Sequence, residues 1–426
     1  MTQRLIPKSF FEENRKRLLD ETGEQNVVVL VFSNTQKCRT GDQYYPYRQS
    51  SDLFYLTGIE QEETVLLLQR NRGEVKEILF LLVPDKKMEI YLDKKLSFDE
   101  AKESSGINTV FPLSDFEGHL ERCLKEVVPI YTSFENILET SSEQNQGISI
   151  TRNVFQKHCQ IAYRQAAPLL ARLRVRKQPI EIDLLKTSCR LTDEVFKEII
   201  TQVQPEMYEY EVDALLQYGF RKRGVAALSF EPIVASGENA LRLHYTRKDK
   251  RCKEGELLLF DMGCEYRNYC SDCSRTIPVN GKFTERQKEC YNAVLNVYQQ
   301  AKTLFVKGNT IAGVNQQAVE LMAAELLGLR LITKEQFENE EERKTRVKQY
   351  LPHGITHFVG LDTHDVGSST TVFEEGMVLT CEPGIYIAEE KIGIRIETML
   401  LVTDDAPFDF FADTCLTVED IEKAMR

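Results

Sequence analysis

The 426-residue chain has no tryptophan, only six histidines, and fewer positive than negative side chains: 54 Lys and Arg against 66 Asp and Glu. Its formal net charge of −12 works against the basic patches that nucleic acid and anionic membranes select, so neither partner is expected. No apolar run reaches the roughly 18 residues that a membrane-spanning helix needs. The N-terminal stretch MTQRLIPKSFFEENRKRLL reads as an amphipathic helix without an apolar h-region. Eleven cysteines are present, but their odd number and scattered spacing do not make a disulfide framework. They point to a reducing, cytoplasmic setting. Cys264, Cys270 and Cys273 fit no zinc-ribbon spacing and read as buried or semi-buried thiols.

What remains is a chain 42% hydrophobic and 28% charged, able to bury a sizeable core and long enough for two domains. Residues 1–172 alternate helix and strand, with a helix over 10–20, strands over 26–32, 64–69, 77–83 and 127–134, and helices over 97–105 and 113–125. This pattern predicts an α/β domain with a partly parallel sheet. Its histidines, His119 and His158, are isolated and read as structural or surface residues. The basic segment 166–179, interrupted by Pro168 and closed by Pro179, reads as the junction to a second domain over 173–426. Helices are expected there over 180–203, 208–223, 284–307 and 311–327, with a solvated charged run over 334–349. Thr284 and Gln287 make a capping-box pattern, and Gly308 follows the end.

Chemistry concentrates in two stretches. In LLLFDMGCEYRNYCSDCSRTIPV (257–279) an apolar run ends at Asp261, a polar turn follows, and a second extended run carries Asp272. Read as a hairpin centred between residues 266 and 267, it makes the two aspartates direct cross-strand neighbours, with Cβ atoms roughly 4.5–5.5 Å apart. Gly263 could add a bulge and alter that register. In GMVLTCEPGIYIAEEKIGIRIETMLLVT (376–403), Glu382 and Glu397 stand in the same relation about residues 389 and 390. Each acid interrupts an apolar strand, where an unpaired charge is costly. Between the hairpins, HGITHFVGLDTHDVG (353–367) holds half of the histidines. Four carboxylates and one neutral imidazole carry a charge that two divalent cations would cancel. HGITH also mimics a zinc pair at i, i+4, but it lacks the glutamate of the HExxH motif.

These motifs, with SGENALRLHYT (236–246), CEPGIYI, GIRIE and, in the first half, YPYRQSSDLFYLTG (45–58), resemble the aminopeptidase P family over nearly the whole chain. The resemblance implies an α/β N-terminal domain followed by an α+β pita-bread (creatinase/aminopeptidase-like) catalytic domain. It implies hydrolysis of the bond between an N-terminal residue and a following proline, by water activated between two divalent ions, manganese before zinc or cobalt. The implied metal ligands are Asp261, Asp272, His357, Glu382 and Glu397, with Asp272 and Glu397 bridging. Oxygen donors with one imidazole suit such ions. By the same resemblance Glu382 accepts the proton of the attacking water. His244 and His364 hydrogen-bond the scissile carbonyl, and His353 lies beside the proline. Arg395 and Tyr386 form a pair next to the site. Asp42 reaches in from a neighbouring subunit of a homodimer or homotetramer. Where the family often has Asp, Thr and Asn, this chain has Thr398, Ser274 and Lys248, and IYLDKKLS replaces a tryptophan-containing segment. A prolidase confined to Xaa-Pro dipeptides, and a non-catalytic pita-bread module that binds peptides, are the alternatives.

Overall fold

The computed structural model describes residues 6–91, 93–125, 129–133, 145–158 and 162–426. They form two compact units, Met1–Leu173 and Arg174–Arg426.

The first unit is built on a six-stranded mixed sheet. Its central strand, Asn26–Phe32, is a run of apolar residues buried from Val27 onward, as a strand covered on both faces should be. It pairs antiparallel with Val65–Asn71, which pairs antiparallel with Glu74–Leu81. Thr109–Pro112 joins in parallel at one side, and Ile130–Thr132 and Tyr163–Gln165 do so at the other. The sheet is partly parallel, as expected; part of the strand expected over 127–134 lies outside the described residues. The helix Lys8–Glu21 buries Phe10, Phe11, Leu18 and Leu19. Its wholly buried Arg15 donates to the Leu56 and Ser105 carbonyls and pairs with Glu77 at 2.8 Å. His119 packs against Phe80 and Phe111.

The junction read as an interrupted segment is helical over Ala167–Arg174. Pro168 stands in the first turn, where its missing N–H has no intrahelical partner to lose. In the second unit, the helices Pro179–Ile199, Glu209–Lys222, Glu285–Lys302 and Ile311–Gly328 share one core with the strands. Phe196, Phe220, Phe260, Tyr291, Tyr298 and Phe305 are all buried in it. The third of these helices has its capping box at Thr284 and Gln287, but it stops at Lys302, short of the expected 307. The charged run after residue 333 forms two helices, Lys334–Glu338 and Glu340–Tyr350, that are largely exposed.

Both expected hairpins are present. Val378–Cys381 pairs with Thr398–Leu401, and Gly384–Ile387 with Ile392–Arg395, in one register centred between residues 389 and 390. Glu382 and Glu397 sit at the break between these two ladders. In the first hairpin the register differs from expectation. Asp261 faces Ser274, not Asp272, and Tyr266 pairs with Tyr269. The turn is Arg267–Asn268, both at positive φ (53° and 67°), the geometry of a two-residue turn matched to strand twist. Pairing has therefore slipped by two residues, which keeps Asp272 on the same face as Asp261 as a diagonal neighbour. Gly263 adds no bulge: the register is the same on either side of it. A Cβ there would lie 1.8 Å from the Ser271 carbonyl oxygen, so the close crossing of the two strands requires glycine. The hairpins are joined by Glu397 N–H donating to the Ser274 carbonyl (3.1 Å) and Arg395 N–H donating to Thr276 Oγ1 (3.2 Å).

Candidate metal centre

The joined hairpins and the histidine segment enclose a cavity of about 570 Å³. Asp261, Asp272, His357, Glu382 and Glu397 all line it, as do His244, His353, His364 and Arg395. One ligand atom from each of Asp272, His357 and Glu397 lies within 4.8 Å of the others. His357 Nε2 is 3.5 Å from Asp272 Oδ2 and 3.5 Å from Glu382 Oε1. Tyr386 bonds both His353 and Arg395 from beside the cavity. Asp42 stands in the first unit, exposed in the turn between the short strands Cys38–Thr40 and Gln43–Tyr44.

Electrostatics crowd this cavity with charge that water does not relieve. Burial first, then the charges of Glu397, Asp261 and Glu382, push Asp272 well above the ordinary carboxylate range. Burial, then Glu382 and Asp261, do the same to Glu397. Glu382 is pushed up to about 8, mainly by burial. His357 is lowered to about 4 by burial and the neighbouring His364, whose ring lies edge-on at 4.3 Å between centroids. The His357 ring is therefore neutral, and its Nδ1–H donates to the Phe358 carbonyl at 3.1 Å. That leaves Nε2 as a bare lone pair aimed at two carboxylate oxygens. Asp261 Oδ1 is buried without a hydrogen-bond partner. An imidazole nitrogen 3.5 Å from two carboxyl oxygens, acids that resist ionising together without a counter-charge, and the orphaned Asp261 oxygen fit a cation held among these atoms.

A surrounding layer of hydrogen bonds orients the acids. Arg395 donates to Asp261 Oδ2 (2.7 Å), to Ser274 Oγ (2.8 Å) and to Tyr386 OH (2.9 Å). Ser274 Oγ in turn donates to Glu397 Oε2 at 2.8 Å. Burial opposes the charge on Arg395, but Tyr386 and the surrounding acids outweigh it and raise its affinity for the proton. Tyr386 OH donates to His353 Nε2 (2.9 Å), whose Nδ1–H donates to the Gly354 carbonyl (2.9 Å). His353 is lowered to about 4, chiefly by burial. Thr380 Oγ1 accepts from the His357 backbone N–H (3.0 Å) and donates to Glu382 Oε1 (3.4 Å), tying the histidine segment to the second hairpin. Of the other two single-residue departures, Lys248 is buried and pairs with Asp213 at 2.9 Å and Glu231 at 2.5 Å. Thr398 hydrogen-bonds Asp409.

Two further groups escaped sequence reasoning. Glu209, wholly buried, accepts from Ser236 N and Oγ, Asn239 Nδ2, Tyr245 OH and Lys250 N, at 2.7 to 3.3 Å. It thereby fixes the loop that carries His244. Asp365, next to His364, is locked to Lys177 (3.0 Å) and Arg174 (2.6 Å). Asp365 was visible inside the THDVG motif; nothing distinguished Glu209 from an ordinary first-turn acid.

Fold and site together define a pita-bread metal-dependent peptidase, preceded by an α/β domain. The family model for metallopeptidase family M24 matches residues 183–404, and that for the aminopeptidase P N-terminal domain matches residues 11–131. The chain is 32% identical to a Xaa-Pro aminopeptidase of Haemophilus influenzae, over 99% of this chain and 98% of that protein. It is 31% identical to the Xaa-Pro aminopeptidase of Escherichia coli, with the same coverage. Among solved structures, a zinc-substituted E. coli aminopeptidase P in complex with product superposes with a TM-score of 0.89 at 30% identity, covering 99% of this chain and 98% of that one. Proline aminopeptidase P II of Yersinia pestis gives 0.90 at 28% identity, covering 99% of each. The chain belongs to metallopeptidase family M24 and, within it, to the aminopeptidase P group.

Proposed function

We propose that this protein removes an N-terminal residue from peptides with proline at position two, and that Asp261, Asp272, His357, Glu382 and Glu397 would hold two divalent ions for that reaction. The observation that carries the reading is the bare Nε2 of His357 facing two carboxylates, with the unpartnered Asp261 Oδ1 in the same cavity. We assign residues 1–172 to the N-terminal aminopeptidase P-type domain and 173–426 to the catalytic domain. The metals, manganese by preference, supply Lewis acidity and an acidified water when bound.

The rest is the work of side chains. Glu382 takes the proton of the attacking water and returns it to the proline nitrogen as the bond breaks. That nitrogen has no N–H of its own, and the X–Pro bond is a tertiary amide that general aminopeptidases handle badly. His244 and His364 donate to the scissile carbonyl oxygen as charge builds on it. His353, kept neutral and aimed by Tyr386 and Gly354, flanks the pyrrolidine ring. Arg395 and Tyr386 hold the acids in place. In a homodimer or homotetramer Asp42 contributes to a neighbouring copy's site. The net charge of −12 and free thiols support a cytoplasmic enzyme acting on peptides, with no nucleic-acid or membrane partner.

The test is turnover of Xaa-Pro-Yaa tripeptides and Xaa-Pro dipeptides with Mn²⁺ and with chelator. Tripeptide cleavage that chelator abolishes and metal restores is expected. Cleavage of dipeptides alone would replace this reading with a prolidase. No metal-dependent cleavage of either would overturn it.

A further inference from the structure

A second cavity, of about 320 Å³, opens beside the metal centre and shares His244 and Thr246 with it. It is lined by Asn239, Arg242, Tyr245, Arg247 and Asp249 as well. These residues follow one another along a single segment, so the cavity lies along the loop that leads away from His244. On the Xaa-Pro reading above, the scissile bond is assigned to His244 and the C-terminal part of the peptide to this adjoining space.

The charges here are unequally matched. Asp249 is the acid of the cavity and is already engaged, by Arg247 Nη2 at 2.7 Å and by Tyr245 OH at 3.4 Å. Arg242 has no carboxylate partner among the described residues. Its Nη1 donates to Asn239 Oδ1 at 2.8 Å, and the Asn239 amide is itself fixed by the buried Glu209. The guanidinium is thus oriented from one side, while no described residue claims its other donors. In a chain with twelve more negative than positive charges, an arginine held in place without a counter-ion is set up to receive an anion from outside. A guanidinium fork fits a carboxylate by two parallel hydrogen bonds.

We propose that Arg242 binds the C-terminal carboxylate of short peptide substrates, so that the enzyme favours free-acid peptides a few residues long. This rests on the Xaa-Pro peptidase reading above. A largely exposed ion pair is worth up to about 1 kcal/mol, equivalent to roughly five-fold in kcat/KM. Because the contact is the same in the ground and transition states, the effect falls on KM.

The experiment uses the full-length, metal-loaded enzyme and Xaa-Pro-Yaa peptides extended one residue at a time, each as free acid and as C-terminal amide. Wild type is expected to prefer the acid by about five-fold at the length that reaches Arg242, through KM, and less so at high salt. In Arg242→Gln the acid-to-amide ratio falls to about one, and in Arg242→Lys part of it returns. Equal use of acid and amide by wild type at every length overturns the proposal. So does a preference that survives in Arg242→Gln, or one lost in Arg247→Gln instead. If no Xaa-Pro peptide of either kind is cleaved with metal present, the peptidase reading itself fails, and the proposal with it.

Discussion

Replacing Glu209 by glutamine isolates the buried anchor beneath the His244 loop. The carboxylate Oε1 accepts from Ser236 N (2.7 Å), Ser236 Oγ (3.0 Å) and Asn239 Nδ2 (3.0 Å), and Oε2 from Tyr245 OH (2.8 Å) and Lys250 N (3.1 Å). Glutamine keeps the shape but can place an oxygen at only one of these positions. The better choice keeps the three donors at Oε1 and sets an NH₂ group against Tyr245 and Lys250. Tyr245 OH can turn its proton to Asp249 Oδ1, 3.4 Å away, and accept instead. The Lys250 N–H has no such freedom and is stranded. One unsatisfied buried donor costs about 1–3 kcal/mol, and hydrogen bonds to a neutral amide are weaker than to a carboxylate. A total near 2–4 kcal/mol follows, a fall in Tm of roughly 5–15 °C for a unit of this size, measurable by differential scanning calorimetry. Loosening the loop should also lower kcat/KM through His244. In a double-mutant cycle Glu209→Gln should then cost much less in a His244→Ala background than in wild type. A Tm shift below about 2 °C, or kinetic losses that simply add, would refute the argument.

Three further outcomes are expected. Asp365→Asn strands Lys177, whose charged group is as buried as its partner, and should cost about 3–5 kcal/mol in urea unfolding at pH 7. Burial alone would raise the Asp365 carboxyl, but Lys177 and Arg174 hold it below its ordinary value. Its stabilisation is therefore complete above about pH 4 and lost as pH falls through the folded value, so the variant should lose less stability than wild type on acidification. Glu181 is the reverse case: burial pushes it up to about 7, so its contribution is full below its ordinary range and fades as pH rises towards 7. Glu181→Gln should flatten that decline in a Tm series from pH 5 to 8; an unchanged slope would contradict it. Ser274→Ala removes the hydroxyl between Glu397 and Arg395 and should weaken metal binding by roughly ten-fold in a competition titration with a chelating dye. Wild-type affinity would show that the bridge is idle.

The strand patterns were legible because alternation and apolar runs are local properties. The four acids stood out because each breaks an apolar strand, where only function or a partner tolerates a charge. The register of the second hairpin followed from the same logic. The register of the first did not, since it depends on a two-residue turn at Arg267–Asn268 whose positive φ values have no marker as plain as Asn-Gly. The error was two residues, so the face was still correct. Pro168 looked like a break because proline in a helix interior is one, and only the actual start of the helix makes it harmless. Helix ends such as Lys302 are set by what the following residues pack against.

The order of residues along the chain determined by itself which groups this protein can offer to a cation: hard oxygen donors and an imidazole, spaced to share faces of two hairpins. Tertiary structure alone decided what each group experiences. Burial, the neutral His357 tautomer, the unpartnered oxygen of Asp261 and the grip of Glu209 on the His244 loop all arise between residues far apart in sequence. The physical reason is that identity and spacing are carried along the chain, whereas solvation and electrostatic coupling depend on distances through space, which only the closed fold sets.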